Sequence, residues 1–177
     1  MTKRKNIFVI IGSASRNSAN EKLIKVVEDL LRGELDLTIF TGLKTLPHFD
    51  PDLSNDNPPP EVISFRECIE KSDGVLICTP EYIFSIPSGL KNAFEWCVAT
   101  TVFSDKPVGL ITASAGGEKG HEELKLIMTT LMTKFNDDTT LLIQGIKSKF
   151  DNAGKIGDEK LKKDIADFVN AFKSMLT

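Results

Sequence analysis

Ile7-Phe8-Val9-Ile10-Ile11-Gly12-Ser13-Ala14-Ser15-Arg16-Asn17-Ser18-Ala19-Asn20 joins an unbroken apolar run to a polar loop, which opens directly into Leu23, Val26, Val27, Leu30 and Leu31 at helical spacing. A short apolar run stopped by Gly12 suits a strand buried on both faces of a parallel sheet, and Gly33 past the last periodic residue is a helix stop. The same alternation continues outward. Leu35 to Phe40, Val75 to Cys78, Val108 to Ile111 and Thr139 to Ile143 read as four further strands. Ile63 to Ile69, the stripe Leu90, Ala93, Phe94, Cys97 and Val98, the stripe Leu124, Ile127, Met128 and Leu131, and finally Leu161, Ile165, Phe168, Val169 and Phe172 read as helices. Such alternation predicts an α/β fold: a five-stranded parallel sheet with helices on both faces and right-handed crossovers. The interval from Thr41 to Pro60, with Pro47, Pro51, Pro58, Pro59 and Pro60, reads as a long loop at the sheet edge where open α/β sheets bind ligands.

The chain's 177 residues fit one domain, 1–177, and 41% hydrophobic with 27% charged residues describes an ordinary globular composition rather than a disordered or fibrous one. A net charge of -3, with Lys and Arg spread along the chain, lacks the basic footprint of a nucleic-acid binder. Cys68, Cys78 and Cys97 are an odd set without C-x-x-C spacing, which argues against a disulfide framework and against a zinc or other metal site. Lys3, Arg4 and Lys5 precede an apolar run too short for a signal peptide, and no later run reaches the length of a membrane span. The expectation is a cytoplasmic protein with no membrane partner.

In the loop from Gly12 to Asn20, three serine hydroxyls, two side-chain amides and Arg16 crowd together with no carboxylate before Glu21. Set at a helix N-terminus, where unpaired N–H groups and the dipole favour an anion, that donor set suits a phosphate monoester. A second reading of Ser18 stands beside it: Ser18-Ala19-Asn20-Glu21 has the form of a capping box. The chain has no G-x-x-x-x-G-K-[ST], and this turn has one glycine where a dinucleotide fingerprint needs three. FMN requires only a monophosphate pocket with surfaces for its chain and flat ring, and a flavodoxin-like strand order, 2-1-3-4-5, places such a site beside the first strand.

After the third strand comes Thr79-Pro80-Glu81-Tyr82-Ile83-Phe84-Ser85-Ile86-Pro87-Ser88-Gly89-Leu90-Lys91-Asn92-Ala93-Phe94-Glu95-Trp96. From Ile7 to Leu131 the chain resembles the NADPH-dependent FMN reductase family, which includes chromate and quinone reductases and small azoreductases. That family carries G-S-x-R-x-x-S-x-N and P-E-Y-N-x-S-x-P-x-x-L-K-N-A-x-D-W. Gly12, Ser13, Ser18 and Asn20 match the first motif; Pro80, Glu81, Tyr82, Ser85, Pro87, Leu90, Lys91, Asn92, Ala93 and Trp96 match the second, with Glu95 in place of Asp. The resemblance implies a flavodoxin-like fold, bound FMN, NADPH or NADH as donor and a small-molecule acceptor: a quinone, flavin, azo compound or metal oxyanion. It also implies a homodimer or dimer of dimers, and no obligatory catalytic side chain, because the flavin carries the chemistry. Ser13, Ser15, Arg16, Ser18 and Asn20 would surround the phosphate. Pro80, Glu81, Tyr82, Ile83 and Ser85, with Ser114, Gly116 and Gly117 of the glycine-containing loop after the fourth strand, would line the ring.

The departures carry expectations of their own. Ser15 stands where the family has arginine, so Arg16 either reaches the phosphate from another angle or points to solvent. Ile83 replaces an asparagine and Phe84 a small residue, and this apolar pair is expected to favour quinones over hydrated oxyanions such as chromate. His121 and His48 lack a nucleophile in a recognisable motif, which argues against a hydrolase. Cys78 and Cys97 read as packing residues, and Lys91 and Asn92 as decoration of a helix start. Trp96 falls off the apolar stripe, so it either covers the helix flank or meets a second subunit. A flavodoxin-like electron carrier is the competing class; Arg16, Lys91 and Lys119 around the site favour the enzyme, since such carriers are strongly acidic there. A 2′-phosphate on the donor would be read by Arg16, Lys119 or neither.

Overall fold

The computed structural model describes residues 4–176, so the start of the basic stretch at Lys3 lies outside it. The apolar runs form β1 (Lys5–Ile11), β2 (Leu35–Phe40), β3 (Gly74–Thr79), β4 (Val108–Ser114) and β5 (Thr140–Gln144). All pair in parallel in the order β2-β1-β3-β4-β5, with Ile7 of β1 opposite Leu37 of β2 on one side and Gly74 of β3 on the other. The helices are α1 (Ala19–Leu31), the short α2 (Pro51–Ser54), α3 (Pro60–Lys71), α4 (Ser88–Glu95), α5 (Glu118–Thr130) and α6 (Glu159–Met175).

Because successive strand side chains point to opposite faces, each strand feeds two cores. Ile7, Val9, Leu76, Cys78 and Ile111 pack against α1 and α6, while Phe8, Ile10, Val75, Ile77 and Leu110 pack against α3, α4 and α5. The chain therefore leaves β1 toward one face of the sheet and β3, its neighbour, toward the other. A cleft opens between the two departing connections at the carboxyl ends of the strands.

Three expectations change. The interval from Thr41 to Pro60 is not wholly loop: Asp50 caps α2 with Pro51 at its start, and Pro60 begins α3. Arg66 fastens this segment down, donating to the carbonyls of Ser54 and Trp96 and to the Ser54 hydroxyl. Trp96, expected on a flank or at a subunit contact, is fully buried within its own chain. Its indole N–H donates to the Pro47 carbonyl at 2.8 Å, and Phe49 stacks edge-on against it at 5.3 Å. Asn92 completes the seam, accepting from the Phe49 amide and donating to the same Pro47 carbonyl, so it is a fastener rather than decoration. Helical periodicity reports the face turned to the sheet, and the long loop has built a second buried surface on the other side of α4.

Gly12 sits where β1 meets the cleft. Its amide donates to the Cys78 carbonyl at 2.8 Å, and a Cβ there would collide with Thr79 Oγ1 and lie 2.8 Å from Leu90 Cδ2. Glycine is needed for close approach rather than for an unusual φ. Gly12→Ala is expected to lower stability by about 1–3 kcal/mol, the ordinary cost of overpacking, measured as a fall in the urea midpoint at unchanged slope.

Candidate functional site

The cleft has a volume of about 690 Å³, within the range of small-molecule sites. One wall is the loop from Ser13 to Asn20, a second is Pro80 and Tyr82, a third is Ala113 to Ala115, and the fourth is Gly145 to Ser148 with Phe150 and Asp151. Ser13, Ser15, Arg16, Ser18, Asn20, Pro80, Tyr82 and Ser114, from three separate loops, thus meet in one place. Glu81, Ile83, Ser85, Gly116 and Gly117 do not line it.

At the α1 end, Ser18 accepts the Glu21 amide at 3.1 Å, so it is the helix cap. Ala19 and Asn20, the first two helical residues, lie against the cleft with amides that no earlier turn can satisfy. Ser13 accepts from the Ser15 amide at 3.3 Å. The Asn20 side chain is committed elsewhere: its amide donates to the Ala113 carbonyl at 3.2 Å and its oxygen accepts from the Cys78 thiol at 3.2 Å. It ties the start of α1 across β3 to β4. Burial pushes the Cys78 thiol far up, so it stays protonated as a donor.

The opposite end is built by two carboxylates. Glu81 accepts from the amides of Gly117 at 3.2 Å and Gly120 at 2.8 Å, which closes the N-terminus of α5. Gly117, at φ 108° as the residue before α5, is required by that backbone conformation. Glu123, one turn further along α5, accepts from the Ser85 hydroxyl at 2.6 Å, the Ile86 amide at 3.0 Å and Lys91 at 3.1 Å. Between these anchors the chain makes a two-residue hairpin: Tyr82 N–H donates to Ser85 O at 2.8 Å, and Ser85 N–H to Tyr82 O at 3.1 Å. Ile83 at φ 51° and Phe84 at φ 58° both occupy the left-handed region. A turn of this kind normally uses Asn-Gly, and a β-branched residue in that conformation is an outlier costing about 1–3 kcal/mol.

His121 is half-buried, with Nδ1 2.9 Å from Thr112 Oγ1, and burial followed by Lys125 lowers its pKa. It packs behind the cleft. Among the described residues there is no group of His, Cys, Asp and Glu that could hold a metal, and no helix is long and apolar enough to cross a membrane. The wall from Gly145 to Asp151 was not singled out from the sequence. Gly145 donates to the Ala115 carbonyl at 3.1 Å, and Lys22 of α1 lies over the Phe150 ring at 5.9 Å, drawing the segment over the cleft. The only signal for it was Gly145-Ile146-Lys147-Ser148 directly after a strand, a position shared by every loop at this edge.

The chain is similar to known proteins over most of its length. The NADPH-dependent FMN reductase family profile matches residues 5–145. A quinone reductase of Pseudomonas putida is 30% identical over 98% of this chain and 96% of its own length. An NADH:(hydroxy)cinnamate reductase subunit of Vibrio ruber is 30% identical over 87% of this chain and 78% of its own. In three dimensions the flavoenzyme NAD(P)H:(acceptor) oxidoreductase FerB of Paracoccus denitrificans superposes with a TM-score of 0.79 at 30% identity, covering 97% of each chain.

The Glu123 clamp carries a pH signature. Desolvation raises the Glu123 pKa, but its hydrogen bonds to Ser85, Ile86 and Lys91 outweigh that and hold it below the ordinary 4.5. A carboxylate depressed in the folded state stabilises fully above its unfolded pKa, and that stabilisation is lost as pH falls through the folded value. Glu123→Gln is therefore expected to lower the melting temperature at neutral pH and to flatten its decline below about pH 4.5, measured by calorimetry from pH 3 to 7.

Proposed function

The chain belongs to the NADPH-dependent FMN reductase family, and from that premise we propose that it reduces quinones and related small acceptors with electrons from NADPH or NADH, through FMN held in the cleft between β1 and β3. The observation that carries this reading is the donor set at the α1 end. Ser13, Ser15, Arg16, Ser18, Ala19, Asn20 and Lys147 all line the cleft and supply hydroxyl, guanidinium, backbone-amide and ammonium donors, with Asp151 the one acidic residue of the lining. The capping and phosphate readings of Ser18 are compatible. Its oxygen accepts from Glu21 while its single O–H is left to donate to an anion.

The cofactor fits the residues present. A phosphate suits the α1 end, and Tyr82, 41% exposed, gives the β3 end an aromatic surface for a flat ring. When bound, FMN supplies two-electron exchange with a nicotinamide and one- or two-electron exchange with an acceptor. The protein binds and orients. Arg16 and the α1 amides fix the phosphate, Pro80 and Tyr82 with Ser114 and Ala115 bracket the ring, and the Glu81 clamp keeps those two loops at fixed separation. In this reading Glu81, Ser85, Gly116 and Gly117 act behind the ring, shaping the loops that touch it.

The reading extends to self-association and location. A groove between α4 and α5, lined by Phe94, Val98, Leu126, Ile127 and Leu131 and rimmed by Lys91 and Glu95, is an apolar face bearing both charges that a second copy would complement. A homodimer, or a dimer of dimers, is proposed there. Three unpaired cysteines suit a reducing cytoplasm.

Purified protein reconstituted with FMN is expected to oxidise NADPH or NADH at a rate that rises severalfold on adding a soluble quinone under anaerobic conditions. A rate that tracks the donor alone and ignores the quinone would remove the reductase assignment.

A further inference from the structure

Resting on that reading, we infer that the Ile83–Phe84 hairpin tip is an apolar platform held rigidly beside the cleft mouth, and that it selects flat, weakly hydrated aromatic acceptors over small hydrated anions. Three observations converge on it. Ile83 is 95% exposed and Phe84 78% exposed, so neither side chain packs into this chain's core. Both occupy the left-handed region, where Asn and Gly are favoured and Ile and Phe are not, so neither is there for turn propensity. Both legs of the hairpin are pinned to α5, the first through Glu81 on the Gly117 and Gly120 amides and the second through Glu123 on Ser85 and Ile86. The tip cannot relax without breaking one of those anchors.

Contributing neither packing nor propensity, the two side chains are explained by the surface they offer another molecule. That surface continues from Tyr82, which lines the cleft, so a molecule stacked against Tyr82 and extending outward meets Ile83 and Phe84. Burying them rewards an apolar partner and gives a strongly hydrated ion nothing in exchange for its water. The α4–α5 groove proposed for self-association is lined by other residues, which leaves the tip to the acceptor.

The test compares wild type, Ile83→Asn and Phe84→Gly, all loaded with FMN, using menadione and ferricyanide as acceptors. Both substitutions place residues that tolerate the left-handed conformation, so the variants are expected to fold and to melt about 2–4 °C higher. The ratio of kcat/KM for menadione to that for ferricyanide is expected to fall about tenfold, and the menadione dissociation constant, read by fluorescence quenching without turnover, to rise by a similar factor. Raised melting temperatures with unchanged ratio and affinity would overturn the inference while leaving the reductase reading standing. Conversion of a dimer to a monomer in sedimentation, with the ratio unmoved, would assign the tip to a subunit contact and overturn it too. Wild type that turns over with neither acceptor would overturn the reductase reading, and this inference with it.

Discussion

Everything at the functional edge of this protein depends on one topological constraint: β1 and β3 are hydrogen-bonded neighbours, yet their connections leave for opposite faces of the sheet. No helix can cover the gap between two connections that diverge, so a cleft is unavoidable there. The parallel sheet then places the ends of β1, β3, β4 and β5 side by side, and each contributes a loop. Gly12 makes the arrangement tight, because any larger residue would push the β1 loop off the end of β3.

The two helices that begin at this edge are treated differently, and the difference locates the chemistry. At α5 the N-terminal amides are taken by Glu81, so the positive end of that helix is neutralised from within. At α1 the cap comes from neutral Ser18, and Arg16 and Lys147 line the cleft beside it with Asp151 as the one carboxylate of that lining. That contrast is why the proposed reading puts the phosphate at α1 and leaves the β3 and β4 loops, locked together by Glu81, for the flat ring. The same carboxylate that denies α5 an anion supplies the rigidity on which the strained hairpin at Ile83 and Phe84 relies.

Much of this was legible in the sequence. Strands such as Ile7 to Ile11 and Val75 to Cys78 declare themselves because burial on both faces demands unbroken apolar runs, and the strand order followed from the phosphate-loop argument together with the family motif. The α1 end was legible too, since hydroxyl, amide and guanidinium donors are local and consecutive. What escaped were contacts between residues distant in the chain. Glu81 beside Pro80 reads as a residue lining the ring, and the α5 amides that it caps instead lie 36 and 39 residues away. Trp96 looked superficial because periodicity cannot show that Pro47 and Phe49 cover it, and Gly145 to Asp151 carries no period at all.

On the proposed function, the α1 end of the cleft recognises a phosphate monoester attached to a flat ring. Equilibrium titration of the flavin-free protein with FMN and with riboflavin, which differ only in that phosphate, tests it most directly. FMN is expected to bind at one per chain and about a hundredfold tighter than riboflavin, as expected for two or more charge-assisted hydrogen bonds, with the advantage largely lost in Arg16→Ala. Equal affinity for the two flavins, or an advantage indifferent to Arg16, would contradict it.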